Sequence, residues 1–160
     1  MVNKFRVVAT GGTFDEIHDG HLALISKAFE VGKKVIIGVT SDEFAAKTKG
    51  RNKIHHSYEQ RVVNLKEIIK NKVGGAVYEI YKLDDDYGPV VILPQISALV
   101  ASAETAKKGD DINVIRSRNG LPSLTIIAVD MIRAEDGSPI SSSRIRAGEI
   151  DGSGRMLRFR

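Results

Sequence analysis

Two histidines lie three residues apart in a short, glycine-rich segment of the sequence, Thr10-Gly-Gly-Thr-Phe-Asp-Glu-Ile-His-Asp-Gly-His21. Glycines after a strand allow backbone N–H groups to approach a phosphate, and a helix that begins there directs its positive end at the same point. Gly20 removes side-chain bulk between His18 and His21, so both rings can face one anion. As neutral or protonated donors, the rings could stabilise charge on a transferring phosphoryl group.

The same segment is compatible with two other interpretations. A glycine-rich first loop often forms only a turn, and this one has neither the Gly-Lys-Ser/Thr ending of a Walker loop nor a GxGxxG pattern. Asp15, His18 and His21 could also bind zinc, although no fourth soft ligand is evident. The residues of this segment alone therefore leave a phosphate site, a turn and a metal site open.

Serines and arginines form a second cluster near the C-terminus, Ile140-Ser-Ser-Ser-Arg-Ile-Arg146. Three serines after Pro139 predict a helix N-terminus, whose free N–H groups and hydroxyls suit an anion. Arg144 and Arg146 add positive charge. Because residues two apart face different sides of a helix, one of the arginines could instead pair with a carboxylate.

Alternating cations mark a third candidate site. Lys47, Lys49, Arg51 and Lys53 lie in a basic, glycine-containing segment, which we predict to be a mobile loop over residues 47–56. Such a loop could close over bound phosphates, or it could simply be a solvated segment.

Strands and helices alternate along the chain and must position these residues. Apolar, β-branched runs predict five strands, at residues 4–10, 34–40, 76–83, 99–102 and 124–129. Helical periodicity falls between them, at residues 20–31, 42–46, 57–72 and 103–118. This alternation indicates an α/β fold with a doubly wound, Rossmann-like parallel sheet of five strands and helices on both faces. In such a sheet, the ligand crevice lies beyond the carboxyl ends of the strands, and most of the unusual residues fall there.

Length and composition narrow the class of protein. The chain has 160 residues, of which 42% are hydrophobic and 28% charged, so we predict a single globular domain over residues 1–160. It has no cysteine, which excludes a disulfide scaffold, a thiolate metal site and a cysteine nucleophile. We find neither an apolar signal core nor a run approaching the ~20 apolar residues of a membrane span. We therefore expect a cytoplasmic protein without membrane contact.

Positive charge is concentrated at the C-terminal end. The net charge is +4, and residues 141–160 hold five arginines against Glu149 and Asp151, a net of +3. This concentration favours a small polyanion, such as the phosphates of a nucleotide, over a nucleic acid. A basic, solvated tail from about residue 150 is the alternative. No long apolar surface stripe is evident, which favours a monomer or a weak oligomer.

Taken together, His18-Asp-Gly-His21 and the Ile140–Arg146 cluster resemble the HxGH nucleotidyltransferase superfamily. The chain looks most like the phosphopantetheine adenylyltransferases of the archaeal and eukaryotic type, and the likeness runs from residue 5 to about 158. It includes Gly38-Val-Thr-Ser-Asp-Glu-Phe, Tyr58-Glu-Gln-Arg-Val, Leu83-Asp-Asp-Asp-Tyr-Gly-Pro, and Ser102-Ala-Glu-Thr with Ile112-Asn-Val-Ile-Arg. The HxGH pair specifies only the superfamily, whereas the last two of these regions point to the pantetheine branch.

The resemblance implies transfer of AMP from ATP to 4′-phosphopantetheine, with dephospho-coenzyme A and pyrophosphate as products. In this family the acceptor phosphate attacks the α-phosphorus directly, without a covalent enzyme intermediate. Mg²⁺ would accompany ATP through its phosphate oxygens rather than through a protein cage. The HxGH pair is equally compatible with another acceptor, such as FMN, nicotinamide mononucleotide or a polyol phosphate. A nucleotide-binding module without activity is a further alternative.

The resemblance also implies roles for individual residues. His21 and His18 would hold the ATP phosphates at the reacting centre, with Lys47 as the catalytic cation and Lys49 as its rival. The other ATP-binding residues would be Gly11, Gly12, Thr13, Phe14, Glu104, Ser141, Ser142, Ser143, Arg144 and Arg146. The acceptor would contact Thr13, Lys47, Lys49, Tyr87, Asn113 and Arg116. No residue of the protein is expected to bind a metal directly.

Overall fold

A computed structural model describes residues 5–50, 53–73 and 77–157 of the chain. Its strands are β1 (Phe5–Gly12), β2 (Gly32–Thr40), β3 (Tyr78–Leu83), β4 (Ala98–Ser102) and β5 (Thr125–Val129). Its α-helices are α1 (Asp19–Val31), α2 (Asp42–Lys49), α3 (Tyr58–Lys72), α4 (Ala103–Ala106), α5 (Gly109–Arg118) and α6 (Ser142–Arg146), and a 3₁₀ turn covers Gly88–Val91. None of the described helices is long and apolar enough to cross a membrane.

All five strands are parallel and follow the order β3-β2-β1-β4-β5. The chain builds the sheet outward from β1 in one direction through β2 and β3, and then crosses over to add β4 and β5 on the other side. This arrangement confirms the predicted doubly wound sheet. Its topological switch point lies between β1 and β4, and ligands of such sheets bind at the carboxyl end of that crevice.

Side chains alternate along β1 between two apolar layers. Val8 packs with Ile25 of α1 and Leu65 of α3 on one face of the sheet. Ala9 packs with Ile112 of α5 on the other face. Because both faces are covered, the central strands consist almost entirely of apolar residues, which is the pattern that made them recognisable in the sequence.

Helix α2 is longer than the sequence predicted. Ser41 Oγ caps its start by accepting from the N–H of Phe44 at 3.1 Å, and Gly50 ends it with a φ of 95°. Lys47 and Lys49 lie in the last turn, where cations interact favourably with the helix dipole. The predicted mobile loop is therefore wrong for these two lysines, and Arg51 lies outside the described residues.

The chain stays folded beyond residue 150. Ile150 is fully buried and forms an antiparallel bridge with Met156. The carbonyl of Gly152 accepts from the N–H of Asp19 at 3.0 Å, which ties this segment to the start of α1. The segment is therefore tied to the domain through Ile150 and Gly152, although Met156 and Leu157 remain exposed, and Arg158 and Arg160 lie outside the described residues.

Candidate active site

Two cavities open at the carboxyl ends of the strands and meet where β1 ends. The first has a volume of about 260 Å³ and reaches toward residues 129–132 at the end of β5, and toward Ser142 and Arg146. The second has a volume of about 470 Å³ and extends past β2 to the segment that follows β3. Residues that line both cavities are Gly11, Gly12, Thr13, Leu24, Lys49, Ser102 and Thr105. Ligands in the two cavities would therefore meet at the end of β1.

The backbone fixes the orientation of both histidines. His18 caps helix α1, and its Nδ1 accepts a hydrogen bond from the N–H of Gly20 at 3.0 Å. The Nδ1 of His21 accepts from the backbone N–H of His18 at 3.2 Å. A ring nitrogen that accepts a hydrogen bond carries no proton, so the proton of each neutral ring lies on Nε2. Each ring can therefore donate one hydrogen bond through Nε2.

Burial keeps both rings neutral. They stack with their centroids 3.9 Å apart, and both line the first cavity. Burial lowers the pKa of His18 to about 4. Burial also lowers the pKa of His21 to about 3, with smaller electrostatic contributions from the neighbouring His18 and Lys49. Of the two donor forms that the sequence left open, the structure favours the neutral imidazole.

We expect both rings to stay neutral as the pH falls from 8 to about 5 in the ligand-free protein, because protonation would place a charge in a buried site. Long-range ¹H–¹⁵N NMR should show an unprotonated Nδ1 and a protonated Nε2 on His18 and His21 throughout this range. In protein unfolded with urea, the same rings should titrate near pH 6.5. Titration of either ring between pH 6 and 7 in the folded protein would contradict the assignment.

Phe14 supports the His21 ring from within the core. Its side chain is fully buried, lines the first cavity, and lies 5.0 Å from His21 between ring centroids. The backbone φ of Phe14 is 56°, a left-handed conformation that is strained for an aromatic residue. We infer that packing around the ring holds this turn, which carries the chain from β1 toward α1.

Asp15 joins three segments beside the first cavity. Its buried carboxylate accepts from Nη1 of Arg146 at 2.8 Å and from the backbone N–H groups of His55 and His56 at 3.1 and 2.9 Å. Burial alone would raise the pKa of Asp15, but these hydrogen bonds and the charge of Arg146 hold it below its usual range. A carboxylate that stays charged therefore orients Arg146 beside the first cavity.

This arrangement contradicts a zinc site made by Asp15, His18 and His21. Within the described ranges, the side chains close enough to share a metal ion are those of Asp15, Glu16 and His56, whose ligand atoms lie within 4.8 Å of one another. Neither histidine of the HxGH pair belongs to that group. The hydrogen bonds of Asp15 instead serve to anchor neighbouring segments.

Arg61 is a positioning residue that the sequence analysis missed. It is fully buried and donates to the backbone carbonyls of Thr13 and Thr40, both at 2.8 Å. Its Nη2 pairs with Asp42, the first residue of α2, at 3.0 Å. Arg61 thereby fixes the loop after β1 relative to α2. Its position four residues before Leu65, on the buried stripe of α3, is the signal that could have revealed it.

The three serines lie at the predicted helix start, but their hydroxyls have different partners. Ser142 lines the first cavity, and its hydroxyl donates to a backbone carbonyl at 3.0 Å. Ser141 Oγ caps α6 by accepting from the N–H of Arg144 at 3.2 Å. Ser143 Oγ accepts from Arg146 at 3.3 Å. Among these serines, the structure places Ser142 at the cavity and gives the other two supporting roles.

Arg144 contributes its charge to the surface rather than to a cavity. Its guanidinium pairs with Asp136 and, at 2.8 Å, with Glu149, and the hydrogen bond from Arg144 holds the pKa of Asp136 below its usual range. Among the described residues that line the first cavity, the arginine is Arg146. The expected role of Arg144 in ATP binding is therefore corrected. The sequence suggested that one arginine of the cluster could pair with a carboxylate; in the structure both do.

Lys49 occupies the position that the sequence analysis assigned first to Lys47. Lys49 lines both cavities, and its charge contributes to the lowered pKa of His21. Lys47 lines a separate surface groove with Asp42 and Glu43. Because residues two apart face different sides of a helix, one lysine reaches the junction and the other does not. Of the two lysines, Lys49 is therefore the one that lines the junction of the cavities, while Lys47, the first expectation, lies in the separate groove.

The residues expected around the acceptor fall into two groups. Tyr87 lines the second cavity, and so does Glu104, which was expected beside ATP. Asn113 instead binds the backbone of Leu124, accepting at 2.7 Å and donating at 3.1 Å. Arg116 is fully buried, and it donates to four backbone carbonyls. Neither is among the described residues that line the two cavities, so both are corrected from acceptor binding to packing.

Comparison with known proteins agrees with this geometry. Residues 9–148 match the cytidylyltransferase-like family. The crystal structure of a protein of unknown function from Archaeoglobus fulgidus superposes with a TM-score of 0.66 and 35% sequence identity, covering 78% of this chain and 98% of that one.

Two relatives cover nearly the whole chain. A phosphopantetheine adenylyltransferase from Methanothermobacter thermautotrophicus is 47% identical over 158 residues, which are 99% of this chain and 93% of that protein. A phosphopantetheine adenylyltransferase from Methanosarcina acetivorans is 46% identical over 154 residues, which are 94% of this chain and 96% of that protein. The chain therefore belongs to the cytidylyltransferase-like nucleotidyltransferases and, within them, to the phosphopantetheine adenylyltransferase family.

Proposed function

We propose that this chain transfers AMP from ATP to 4′-phosphopantetheine, forming dephospho-coenzyme A and releasing pyrophosphate. The observation that carries the proposal is the pair of cavities that meet at Thr13 and Lys49, because adenylyl transfer needs two ligands whose phosphates touch. The 47% identity to the Methanothermobacter thermautotrophicus phosphopantetheine adenylyltransferase supports this acceptor.

The reaction requires positioning and charge stabilisation rather than a general base. An oxygen of the acceptor phosphate is already ionised and attacks the α-phosphorus of ATP, forming a new P–O bond. The bond from the α-phosphorus to the bridging oxygen breaks, and that oxygen leaves with its electron pair on pyrophosphate. Catalysis of such a step comes from holding the two phosphates in line and from stabilising the charge on the oxygens around phosphorus.

Each charged or donating group has a place in this scheme. The first cavity holds ATP, with the Nε2–H groups of His18 and His21 donating to its phosphate oxygens. Lys49 lies at the junction and reduces the repulsion between the two phosphates. Arg146, oriented by Asp15, and Ser142 complete the phosphate site. These groups bind the transition state more tightly than the ground state, because negative charge is shared there across two ligands.

Mg²⁺ enters this scheme as part of the substrate, Mg·ATP. Asp15 is the buried carboxylate of the first cavity, and its oxygens already accept from Arg146 and two backbone N–H groups. These hydrogen bonds commit the carboxylate mainly to the protein's own groups. The ion would be held through phosphate oxygens and water, which suits the preference of Mg²⁺ for such ligands.

Pyrophosphate release tests the proposed function. Purified protein with Mg·ATP should release pyrophosphate with 4′-phosphopantetheine, and mass spectrometry should identify dephospho-coenzyme A. FMN, nicotinamide mononucleotide and a reaction without acceptor serve as controls. Release with FMN and none with 4′-phosphopantetheine would overturn the assigned acceptor and leave the nucleotide site standing.

Lys49→Ala is expected to lower kcat/KM for both substrates by about 10- to 100-fold, because a charge-assisted contact at the reacting phosphates is lost. Lys47→Ala, two residues earlier in the same helix, is the matched control and should change kcat/KM less than about twofold. Both lysines are exposed, so neither change should lower the melting temperature by more than a few degrees. A larger loss for Lys47→Ala than for Lys49→Ala would reverse the assignment.

A further inference from the structure

We propose that the second cavity selects acceptors whose pantetheine arm carries no carboxylate, and that Asp86 and Lys108 tune this preference with opposite signs. The inference rests on the function proposed above, since it takes the second cavity as the acceptor site. It concerns the end of the acceptor that lies away from the reacting phosphate.

Charged residues of both signs line the second cavity. Lys49 lies where the two cavities meet, and it suits a phosphate. Four charged residues line the second cavity but not the first: Asp85, Asp86, Glu104 and Lys108. Three carboxylates against one lysine give this part of the cavity a net negative charge. Ile36, Leu83 and Leu99 supply apolar surface to the same cavity.

The two aspartates after β3 have different roles. Asp85 shapes the turn, because its Oδ1 accepts from the N–H groups of Tyr87 and Gly88 at 3.0 and 2.6 Å. Asp86 pairs with Nζ of Lys108 at 3.6 Å. This ion pair connects the loop after β3 to the connection between α4 and α5. Both side chains remain about half exposed, so each can be changed without opening the core.

Thr10 adds an uncharged polar residue to the lining of the second cavity. Thr10 lines the second cavity and is 3% exposed, and its Oγ1 has no hydrogen-bond partner within the described residues. A buried hydroxyl without a partner costs free energy, and it adds no charge to the cavity. The amides and hydroxyl of a pantetheine arm are also polar groups that carry no charge.

A carboxylate on an arm bound in the second cavity would lie in a site lined by three more carboxylates than are present at the junction and by one additional lysine. At separations of several ångströms, like charges in a partly solvated site repel strongly enough to weaken binding by about tenfold, and salt reduces the effect. Lys108 opposes this repulsion and Asp86 adds to it. Removing one or the other should therefore shift the preference in opposite directions.

Two acceptors that differ by one carboxylate provide the test. 4′-Phosphopantothenoylcysteine is 4′-phosphopantetheine with a carboxylate on its terminal unit. Isothermal titration without ATP measures the dissociation constant of each acceptor. We expect the wild-type protein to bind 4′-phosphopantetheine about tenfold more tightly at low salt, with a smaller ratio at 0.5 M salt.

Two variants separate a charge effect from a loss of structure. Asp86→Asn should lower the ratio of the two dissociation constants about threefold, because a repulsive charge is removed and Lys108 remains. Lys108→Gln should raise the ratio by a similar factor. Both variants break the same ion pair, so a purely structural role of that pair would move the ratio in one direction in both.

The possible outcomes are distinct. Opposite shifts in the two variants support the inference, whereas equal binding of the two acceptors, shifts of the same sign, or no binding of either acceptor would overturn it. Selective binding without pyrophosphate release on addition of Mg·ATP would contradict the proposed function and leave the selectivity intact.

Discussion

Replacing His21 by asparagine is expected to lower kcat by about 10²–10³-fold while changing the dissociation constant for ATP much less. The Nδ1 of His21 accepts from the backbone N–H of His18, and the Oδ1 of asparagine can accept in its place. The amide N–H groups of asparagine, by contrast, do not reach the position of Nε2, because the side chain is shorter. The variant therefore keeps the start of α1 and loses the donor to the reacting phosphate, whose contribution grows as charge develops.

His21→Ala provides the comparison. It loses the donor and the hydrogen bond to His18 together, so it should show the same fall in kcat and, in addition, a lower melting temperature. Steady-state pyrophosphate release gives kcat, and titration calorimetry gives the affinity for ATP. If His21→Asn weakened ATP binding as much as it lowered kcat, the ring would serve ground-state binding and its proposed role would be falsified.

The sheet could be predicted from the sequence because its central strands β2, β1 and β4 are covered on both faces and are therefore rich in apolar residues, while the edge strands β3 and β5 keep shorter apolar runs with exposed positions. The carboxyl ends of parallel strands share one edge, so the loops after β1, β3 and β4 had to converge there. The predicted strand at 34–40 begins two residues after β2 does, and the predicted strand at 99–102 begins one residue after β4 does; both end at the same residue as the observed strand. The HxGH segment follows β1 and therefore lies at this edge as well. Its local geometry is determined by the cap that His18 forms on α1.

Side-chain partners could not be predicted in the same way, because they depend on long-range packing. Arg144 and Arg146 have the same residue type and lie two positions apart, yet one pairs with Asp136 and Glu149 at the surface and the other with Asp15 beside the cavity. Charge density near the C-terminus indicated an anion site without showing which arginine serves it. Lys47 and Lys49 differ in the same manner, because α2 directs side chains two residues apart to different sides. The sequence predicted a loop there and so could not distinguish the two lysines.

The sequence also does not show which arginines are buried and therefore contribute no charge to the surface. Arg61 and Arg116 are both fully buried, and each acts as a multiple donor to backbone carbonyls at the ends of strands and loops. A guanidinium has five N–H donors in a fixed geometry, which suits several carbonyls at once. Counting such residues as surface charge overstates the cationic surface available to a ligand.

Arg116→Met is expected to lower the free energy of unfolding by about 3–5 kcal/mol, because methionine keeps the apolar stem but leaves buried carbonyls without a donor. Those carbonyls belong to Val90, Leu93, Ile96 and Pro122, at 2.7 to 3.2 Å from the guanidinium. They lie on the segments before β4 and β5. Urea unfolding followed by circular dichroism measures the change.

Arg118→Met is the matched control, two residues later in the same helix and exposed, and it should change the free energy of unfolding by less than about 0.5 kcal/mol. Arg116→Lys retains a charge and one donor group, so an intermediate loss is expected and some folded enzyme should remain for kinetics. An acceptor-binding arginine would give the opposite pattern, a large rise in KM for 4′-phosphopantetheine with unchanged stability. Since all four carbonyls belong to the protein's own backbone, we expect stability to fall and KM to stay within about twofold in the enzyme that remains folded.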